Sequence, residues 1–268
     1  MTKARFAAVQ MVSAGEVSAN LKSADRLIAA AAAAGARLVA LPENFYLIGR
    51  NERDKVAVRE PDGRGPIQDF LAAAAEQHGV WIIGGTVPIS CDDESRIRSA
   101  CLVYDAAGQR IARYDKMHLF RFESGAERYD EARTLQSGSA PVALESPFGR
   151  LALSVCYDVR FPELYRGLGR FDVMFVPSAF TVPTGAAHWE TLLRARAIEN
   201  QAYVVAPAQG GSHDSGRRTY GHTMIVDPWG AVLAVRPEGE GVVLADIDPD
   251  KLREVRASLP ALLNRRLT

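Results

Sequence analysis

Three residues of complementary chemistry each follow an apolar run of strand length in this sequence: Glu43, Lys116 and Cys156. A carboxylate can act as a general base, an ammonium group can stabilise an oxyanion, and a thiol can attack an acyl carbon. One site that held all three would hydrolyse an acyl compound through a covalent intermediate. Taken singly, each residue has an ordinary structural explanation: a small core cysteine, a loop carboxylate, and a lysine paired with the neighbouring Asp115.

The elements that would position these residues alternate between strands and helices along the chain. The main predicted strands are Arg5–Met11, Arg37–Leu41, Val80–Val87, Leu151–Val155 and Asp172–Val176, and the main predicted helices are Val17–Ala34, Ile67–Gln77 and Ala187–Asn200. Ser99–Tyr104 and Gln109–Tyr114 flank a turn and predict a hairpin. The pattern therefore predicts one α/β domain, residues 1–268, with mixed sheets. In such folds sites form beyond the carboxyl ends of strands, where the three residues would meet.

The composition excludes several classes of protein. The chain has 268 residues, of which 47% are hydrophobic, and its 32 basic residues balance 32 acidic ones. Zero net charge argues against a nucleic-acid or anionic-membrane partner. The longest apolar run, Leu27–Gly35, is too short to span a bilayer, and the first residues lack the apolar stretch of a secretory signal. Three cysteines without CxxC spacing indicate reduced thiols, so we expect a cytoplasmic protein.

Motifs for cofactors and metals are missing from the sequence. It contains no dinucleotide-binding GxGxxG, no phosphate-binding GxxxxGK[ST], no serine-hydrolase GxSxG and no zinc-binding HExxH pattern. The five histidines show no metal-ligand spacing. Gly84-Gly85 lies within an apolar run and is better explained by close packing than by phosphate binding. We therefore expect a reaction that needs neither a metal nor an organic cofactor.

Longer motifs around the three residues resemble the signature regions of the nitrilase superfamily of carbon–nitrogen hydrolases. They are Leu41-Pro-Glu-Asn-Phe45, Tyr114-Asp-Lys-Met-His-Leu119 and Ser154-Val-Cys-Tyr-Asp-Val-Arg-Phe-Pro-Glu163. The likeness continues, in that superfamily's order, through Pro177-Ser-Ala-Phe180, Thr184-Gly-Ala-Ala-His-Trp-Glu190, Arg194-Ala-Arg-Ala-Ile-Glu-Asn200, Tyr220-Gly-His-Thr223 and Asp227-Pro-Trp-Gly230. Within the superfamily the chain is similar to the Nit branch, whose amidases act on deaminated glutathione or on ω-amides of keto acids.

The resemblance implies a four-layer α-β-β-α sandwich of two mixed sheets that dimerises through the sandwich. It makes Glu43 the base, Lys116 the oxyanion stabiliser and Cys156 the nucleophile. The backbone N–H of Tyr157 would donate a second hydrogen bond to the oxyanion. The resemblance also implies a second carboxylate near the lysine. Glu131 matches it best, and two other glutamates lie nearby, Glu123 and Glu127.

The predicted reaction is the hydrolysis of a small carboxylated amide to an acid and ammonia through a thioester. Deaminated glutathione is the first expected substrate, and α-ketoglutaramate-type ω-amides are the second. Arg160 would hold the substrate carboxylate through two parallel hydrogen bonds, and Thr184 would add a hydroxyl donor. The alternative for Arg160 is a structural pair with Asp158 or Glu163. A nitrilase or an N-carbamoyl-amine hydrolase would use the same triad, and a non-catalytic binding protein of this fold is a third interpretation.

The end of the chain carries four leucines after the last predicted helix, in Leu259-Pro-Ala-Leu-Leu-Asn-Arg-Arg-Leu267. We expect residues 259–268 to pack on a partner subunit of a homodimer or a larger homo-oligomer. The alternative is a disordered tail on a monomer.

Overall fold

The computed structural model describes residues 1–124 and 127–267. Its strands are β1 (Ala4–Gln10), β2 (Leu38–Ala40), β3 (Trp81–Ile83), β4 (Val87–Ser90), β5 (Ile97–Tyr104), β6 (Arg110–Asp115), β7 (Arg121–Ser124), β8 (Glu127–Asp130), β9 (Val142–Ser146), β10 (Gly149–Leu153), β11 (Val173–Phe175), β12 (Tyr203–Ala206), β13 (Gly210–Ser212), β14 (Arg218–Tyr220), β15 (Thr223–Val226), β16 (Val232–Arg236) and β17 (Gly241–Ile247). Its α-helices are α1 (Val17–Ala33), α2 (Asp54–Ala57), α3 (Pro66–His78), α4 (Pro162–Gly167), α5 (Val182–Asn200) and α6 (Pro249–Ser258).

Two mixed sheets form the centre of the molecule. The first has seven strands in the order β17-β1-β2-β3-β5-β4, with β6 also paired to β5. The second has six strands in the order β16-β15-β12-β11-β10-β9. Each sheet contains three parallel strands in a row, β1-β2-β3 and β10-β11-β12, flanked by antiparallel neighbours. The predicted hairpin is present as β5 and β6, and the sheets are mixed as expected.

Successive side chains of a strand point into different layers of the molecule. In β1, Phe6 and Ala8 belong to the core between the two sheets, whereas Ala7 and Val9 pack with the helices α1 and α3. Phe6 is fully buried and stacks on Phe175 of the second sheet, with ring centroids 6.1 Å apart. Burying one such side chain stabilises the fold by about 2 kcal/mol. Since α5 covers the outer face of the second sheet, the layers form an α-β-β-α sandwich, which confirms the predicted fold class.

The predicted strand Val80–Val87 is wrong as a single element. It is divided into β3 and β4, which both pair with β5, so the chain turns at Gly84-Gly85. Gly85 has a φ of 54°. A Cβ on Gly85 would lie 2.1 Å from the carbonyl oxygen of Pro42. Glycine is therefore required by close packing against the residue that precedes Glu43.

Helix α5 is longer than predicted. It begins at Val182 rather than at Ala187, with Pro183 in its first turn. A proline is favourable there because the first N–H groups of a helix have no partner within the helix. The additional turn includes Thr184, one of the predicted site residues. Among the described residues, none of the helices combines the length and the apolar character needed to cross a lipid bilayer.

Candidate active site

Glu43, Lys116 and Cys156 lie together where strands of both sheets end. Strand β6 is antiparallel to β5, which is antiparallel to β3, so β6 runs in the same direction as the parallel pair β2 and β3. The residues after β2 and β6 therefore emerge at one edge of the first sheet, and Cys156 follows β10 of the second. Nζ of Lys116 lies 2.8 Å from Oε1 of Glu43. Glu43 and Cys156 line one cavity with an empty volume of about 300 Å³.

Glu131 is a second carboxylate on Lys116. Its two oxygens lie 2.9 and 2.8 Å from the ammonium nitrogen, and Oε2 also accepts a hydrogen bond from the backbone N–H of Phe120 at 2.7 Å. Lys116 is thus held between two carboxylates in a position that is 1% exposed. Of the two alternatives, Glu123 is exposed and lies 3.8 Å from Arg128. The side chain of Glu127 lies outside the described part of the chain.

Burial and mutual charge set the protonation of this cluster. Burial alone would raise the pKa of Glu43, but the ammonium group of Lys116 holds that pKa below its usual value. Burial alone would lower the pKa of Lys116, but the carboxylates of Glu131 and Glu43 hold it well above the usual value. Burial raises the pKa of the Cys156 thiol, and the charge of Glu43 adds to this effect. At neutral pH a protonated thiol therefore lies beside an ionised carboxylate that can take its proton.

Cys156 occupies a sharp turn between β10 and the short 3₁₀-helix Cys156–Arg160. Its φ of 49° is left-handed, a conformation that non-glycine residues seldom adopt and that costs roughly 1–3 kcal/mol. The Cys156 N–H donates to the carbonyl oxygen of Pro177 at 2.9 Å. Backbone strain of this kind is concentrated at functional sites, where the surrounding contacts hold it in place.

Asp158 connects the turn of Cys156 with the segment that carries Lys116. Its fully buried carboxylate accepts hydrogen bonds from the hydroxyl of Tyr114 at 2.7 Å, the backbone N–H of His118 at 3.0 Å and the backbone N–H of Val155 at 2.8 Å. One side chain therefore fixes the nucleophile segment relative to the lysine segment. From the sequence alone, Asp158 enters only as the alternative partner of Arg160. Its position two residues after Cys156 was the available signal.

Arg160 and Thr184 line the same cavity as Cys156. Nη1 of Arg160 lies 3.3 Å from Nδ1 of His188, and the guanidinium carbon lies 5.4 Å from the ring centroid of Phe180. Within the described part of the chain, Arg160 forms no ion pair with either alternative partner, and Asp158 is occupied as described above. Oγ1 of Thr184 lies 2.8 Å from Oγ1 of Thr181, so this hydroxyl is already hydrogen-bonded.

Two further residues at the site were missed by sequence analysis. Gln209 is fully buried, and its Nε2 donates to the backbone carbonyl of Glu43 at 3.2 Å and to the hydroxyl of Ser13 at 2.8 Å. Arg217 lines the cavity beside Cys156. An arginine pair just before Tyr220-Gly-His-Thr223 was the available signal for it. Among the residues that the structure describes, no three His, Cys, Asp or Glu side chains are grouped to hold a metal ion.

The sandwich, with a cysteine, a glutamate and a lysine gathered at its strand ends, defines the class: a nitrilase-type hydrolase. A model of the family described as carbon-nitrogen hydrolase matches residues 5–257. The chain belongs to the carbon–nitrogen hydrolase family, and it is a hydrolase of carbon–nitrogen bonds other than peptide bonds.

Similar proteins support the predicted resemblance to the Nit branch. A deaminated glutathione amidase of Synechocystis sp. is 44% identical over 265 residues, which cover 97% of each chain. The human deaminated glutathione amidase is 39% identical over 97% of this chain and 81% of its own length. The structure of Saccharomyces cerevisiae Nit3, a member of branch 10 of the nitrilase superfamily, matches with a TM-score of 0.87 and 30% identity, covering 99% of this chain and 97% of that one. The resemblance to the Nit branch of the nitrilase superfamily, which the motifs indicate, is confirmed.

Proposed function

We propose that this protein is a cysteine-dependent amidase that hydrolyses deaminated glutathione through a thioester intermediate. The observation that carries this proposal is the grouping of Cys156 and Glu43 in one cavity, with Lys116 2.8 Å from the carboxylate of Glu43. The 44% identity to a deaminated glutathione amidase supports the choice of substrate. Amides of α-ketoglutaramate type are the second candidate substrates, because they share a keto-acid carboxylate with deaminated glutathione.

Acylation of Cys156 is the first step of the mechanism. Glu43 takes the thiol proton while the sulfur attacks the carbonyl carbon of the amide. The ammonium group of Lys116 and the backbone N–H of Tyr157 stabilise the oxyanion that forms, and one such donor is worth about 3 kcal/mol. Glu43 then gives its proton to the departing nitrogen, the carbon–nitrogen bond breaks, and the acyl group remains on the sulfur.

Deacylation returns the enzyme to its starting state. Glu43 takes a proton from a water molecule, whose oxygen attacks the thioester carbon, and the same two donors stabilise the second oxyanion. The carbon–sulfur bond then breaks, the acid product leaves, and Glu43 returns the proton to the sulfur of Cys156. Glu131 takes no proton in this scheme. Its contacts with Lys116 and with the backbone of Phe120 keep the ammonium group in position.

The leaving group depends on the substrate. Both amide nitrogens of deaminated glutathione are secondary, so its hydrolysis releases an amine rather than ammonia. Ammonia is released only from primary amides such as α-ketoglutaramate. The ammonia expected from sequence therefore applies to the second substrate class, and an assay for the first must detect a free amine.

A substrate panel tests the proposed function. The purified protein is assayed with deaminated glutathione, α-ketoglutaramate, a carboxylated nitrile and an N-carbamoyl amine. We expect the highest kcat/KM with deaminated glutathione. A higher kcat/KM with the nitrile or the carbamoyl compound would assign the alternative reaction to this triad, and no turnover of any of the four compounds would overturn both proposed substrates.

Arg160→Lys is expected to raise the KM for carboxylated amides about tenfold, with a much smaller effect on an uncharged amide. A guanidinium group holds a carboxylate through two parallel hydrogen bonds, whereas an ammonium group cannot reproduce that geometry. The measurement is kcat/KM of wild type and variant for deaminated glutathione, α-ketoglutaramate and a simple neutral amide. Equal losses on all three would mean that Arg160 supports the fold rather than the substrate.

We also propose that residues 1–268 work as one domain in a cytoplasmic homodimer or larger homo-oligomer. Leu259, Leu263 and Leu267 are 48%, 82% and 84% exposed, and such apolar surface favours contact with another subunit. Thr268 lies outside the described residues. The free thiols of Cys91, Cys101 and Cys156 are consistent with a reducing compartment. A particle of 29 kDa in light scattering at micromolar concentration would contradict the oligomer.

A further inference from the structure

We propose that Arg217 binds a carboxylate on the leaving-group side of the substrate, and that it thereby selects amides whose amine portion ends in a carboxylate. This inference rests on the proposed amidase function and deepens it. It assigns a second anion-binding position to the cavity, in addition to the one proposed for Arg160.

Arg217 reaches the cavity from an element that carries none of the other site residues. It lies in the turn between β13 and β14 and lines the cavity together with Glu43 and Cys156. Its side chain is 17% exposed. The guanidinium carbon lies 5.2 Å from the ring centroid of Tyr129. Such cation–π packing orients the planar group without using its N–H donors.

The hydrogen-bond donors of Arg217 are incompletely satisfied. Among the described residues its Nε is buried without a hydrogen-bond partner. Nη1 lies 3.6 Å from Oε1 of Glu52, which is longer than a hydrogen bond, and Nη2 lies 3.5 Å from the carbonyl oxygen of Ala179. A buried donor without a partner is unfavourable, so an incoming acceptor would relieve that penalty.

The acid near Arg217 is Glu52, and its carboxylate is shared between Arg217 and Lys55. Glu52 accepts a hydrogen bond from the ammonium group of Lys55 at 2.9 Å, and the side chain of Lys55 is 6% exposed. The charge of Lys55, more than that of Arg217, lowers the pKa of Glu52 to about 2. Two cations thus share one carboxylate, and this arrangement leaves Arg217 able to bind a second anion.

Arg160 and Arg217 together fit a ligand with two carboxylates. Arg160 belongs to the same short helix as Cys156, so it is placed to hold the carboxylate of the acyl group, which stays on the sulfur after the carbon–nitrogen bond breaks. Arg217 comes from a different element and packs on a different aromatic ring, and we assign to it the carboxylate of the part that departs. Deaminated glutathione has this form, with a keto-acid carboxylate on its acyl side and a C-terminal carboxylate on its amine side.

The test compares deaminated glutathione with its C-terminal carboxamide, which has nearly the same size and one charge less. We expect wild type to prefer the acid, chiefly through KM. In Arg217→Gln the kcat/KM for the acid should fall by about 10- to 100-fold, while that for the carboxamide falls far less, so the preference disappears. Arg217→Lys should keep part of the preference. Arg218→Gln, at the neighbouring exposed position, is the matched control and should behave as wild type.

The possible outcomes separate this inference from the proposed function. Absence of wild-type turnover on deaminated glutathione would overturn the proposed substrate, and the role of Arg217 with it. If wild type turns over deaminated glutathione but Arg217→Gln lowers kcat/KM equally for the acid and the carboxamide, only the role of Arg217 is overturned. Thermal unfolding of each variant identifies a folding defect. If Arg217→Gln does not fold, Arg217→Lys decides the question. A full wild-type preference of Arg217→Lys for the acid over the carboxamide then overturns the inference, and a reduced preference supports it.

Discussion

Cys156→Ala is expected to abolish turnover while leaving the protein folded. The substitution removes the attacking sulfur, so kcat should fall by at least about 10⁴-fold. Alanine adds no atoms to the buried site, and losing one sulfur atom from it should cost only about 1 kcal/mol of stability. The measurements are amine release from deaminated glutathione and the thermal unfolding midpoint of variant and wild type.

Trapping the intermediate tests the same prediction directly. Wild-type protein denatured during turnover should carry the mass of the acyl group on the peptide that contains Cys156. Cys91→Ala is the matched control, because Cys91 lies outside the site cavity, and it should keep both activity and adduct. Full activity in Cys156→Ala, or an acyl group on another residue, would contradict the mechanism.

Glu43→Gln is expected to slow both acylation and deacylation by about 10²- to 10⁴-fold. The amide keeps the shape of the carboxylate but cannot take a proton, and burial leaves the thiol of Cys156 protonated. Because the pKa of Glu43 is held below its usual value, wild-type activity should persist into mild acid and be lost as the pH falls through that lowered pKa. Glu43→Gln should lack this acidic limb. Single-turnover kinetics measured across a range of pH check both expectations.

A second glutamine variant provides the control for Glu43→Gln. Glu123 is exposed and lies 3.8 Å from Arg128, so Glu123→Gln changes the same charge without touching the cavity. It should retain the wild-type pH profile. If Glu43→Gln keeps more than about a tenth of the wild-type kcat, the assignment of Glu43 as the base is wrong.

The α/β class with mixed sheets and the meeting of Glu43, Lys116 and Cys156 could be predicted from local patterns, whereas the α-β-β-α sandwich was implied by the family resemblance. Each residue follows an apolar run, and the carboxyl ends of parallel strands share one edge of a sheet. The break at Gly85 could not be predicted in this way. It is caused by the carbonyl oxygen of Pro42, which only the folded chain brings close.

The roles of Asp158 and Arg217 also depend on distant parts of the chain. Asp158 accepts hydrogen bonds from a hydroxyl and a backbone N–H of the segment around Lys116. The residues next to Asp158 in sequence do not indicate those partners. Arg217 lies in the turn of a small two-stranded ribbon, β13-β14, which packs against helix α5 and pairs with Thr181. Charged side chains in turns are normally solvated, so a single sequence does not distinguish this one.

The division of the site between two sheets has a consequence for folding. Lys116 and Glu43 are 73 residues apart but share the first sheet, whereas Cys156 belongs to the second. Contacts between Glu43 and Cys156, which are still further apart in sequence, form late and slowly. A partly folded chain therefore holds a thiol without its base, and such a chain cannot hydrolyse an amide. During refolding, the return of activity would report the docking of the two sheets rather than the formation of either one.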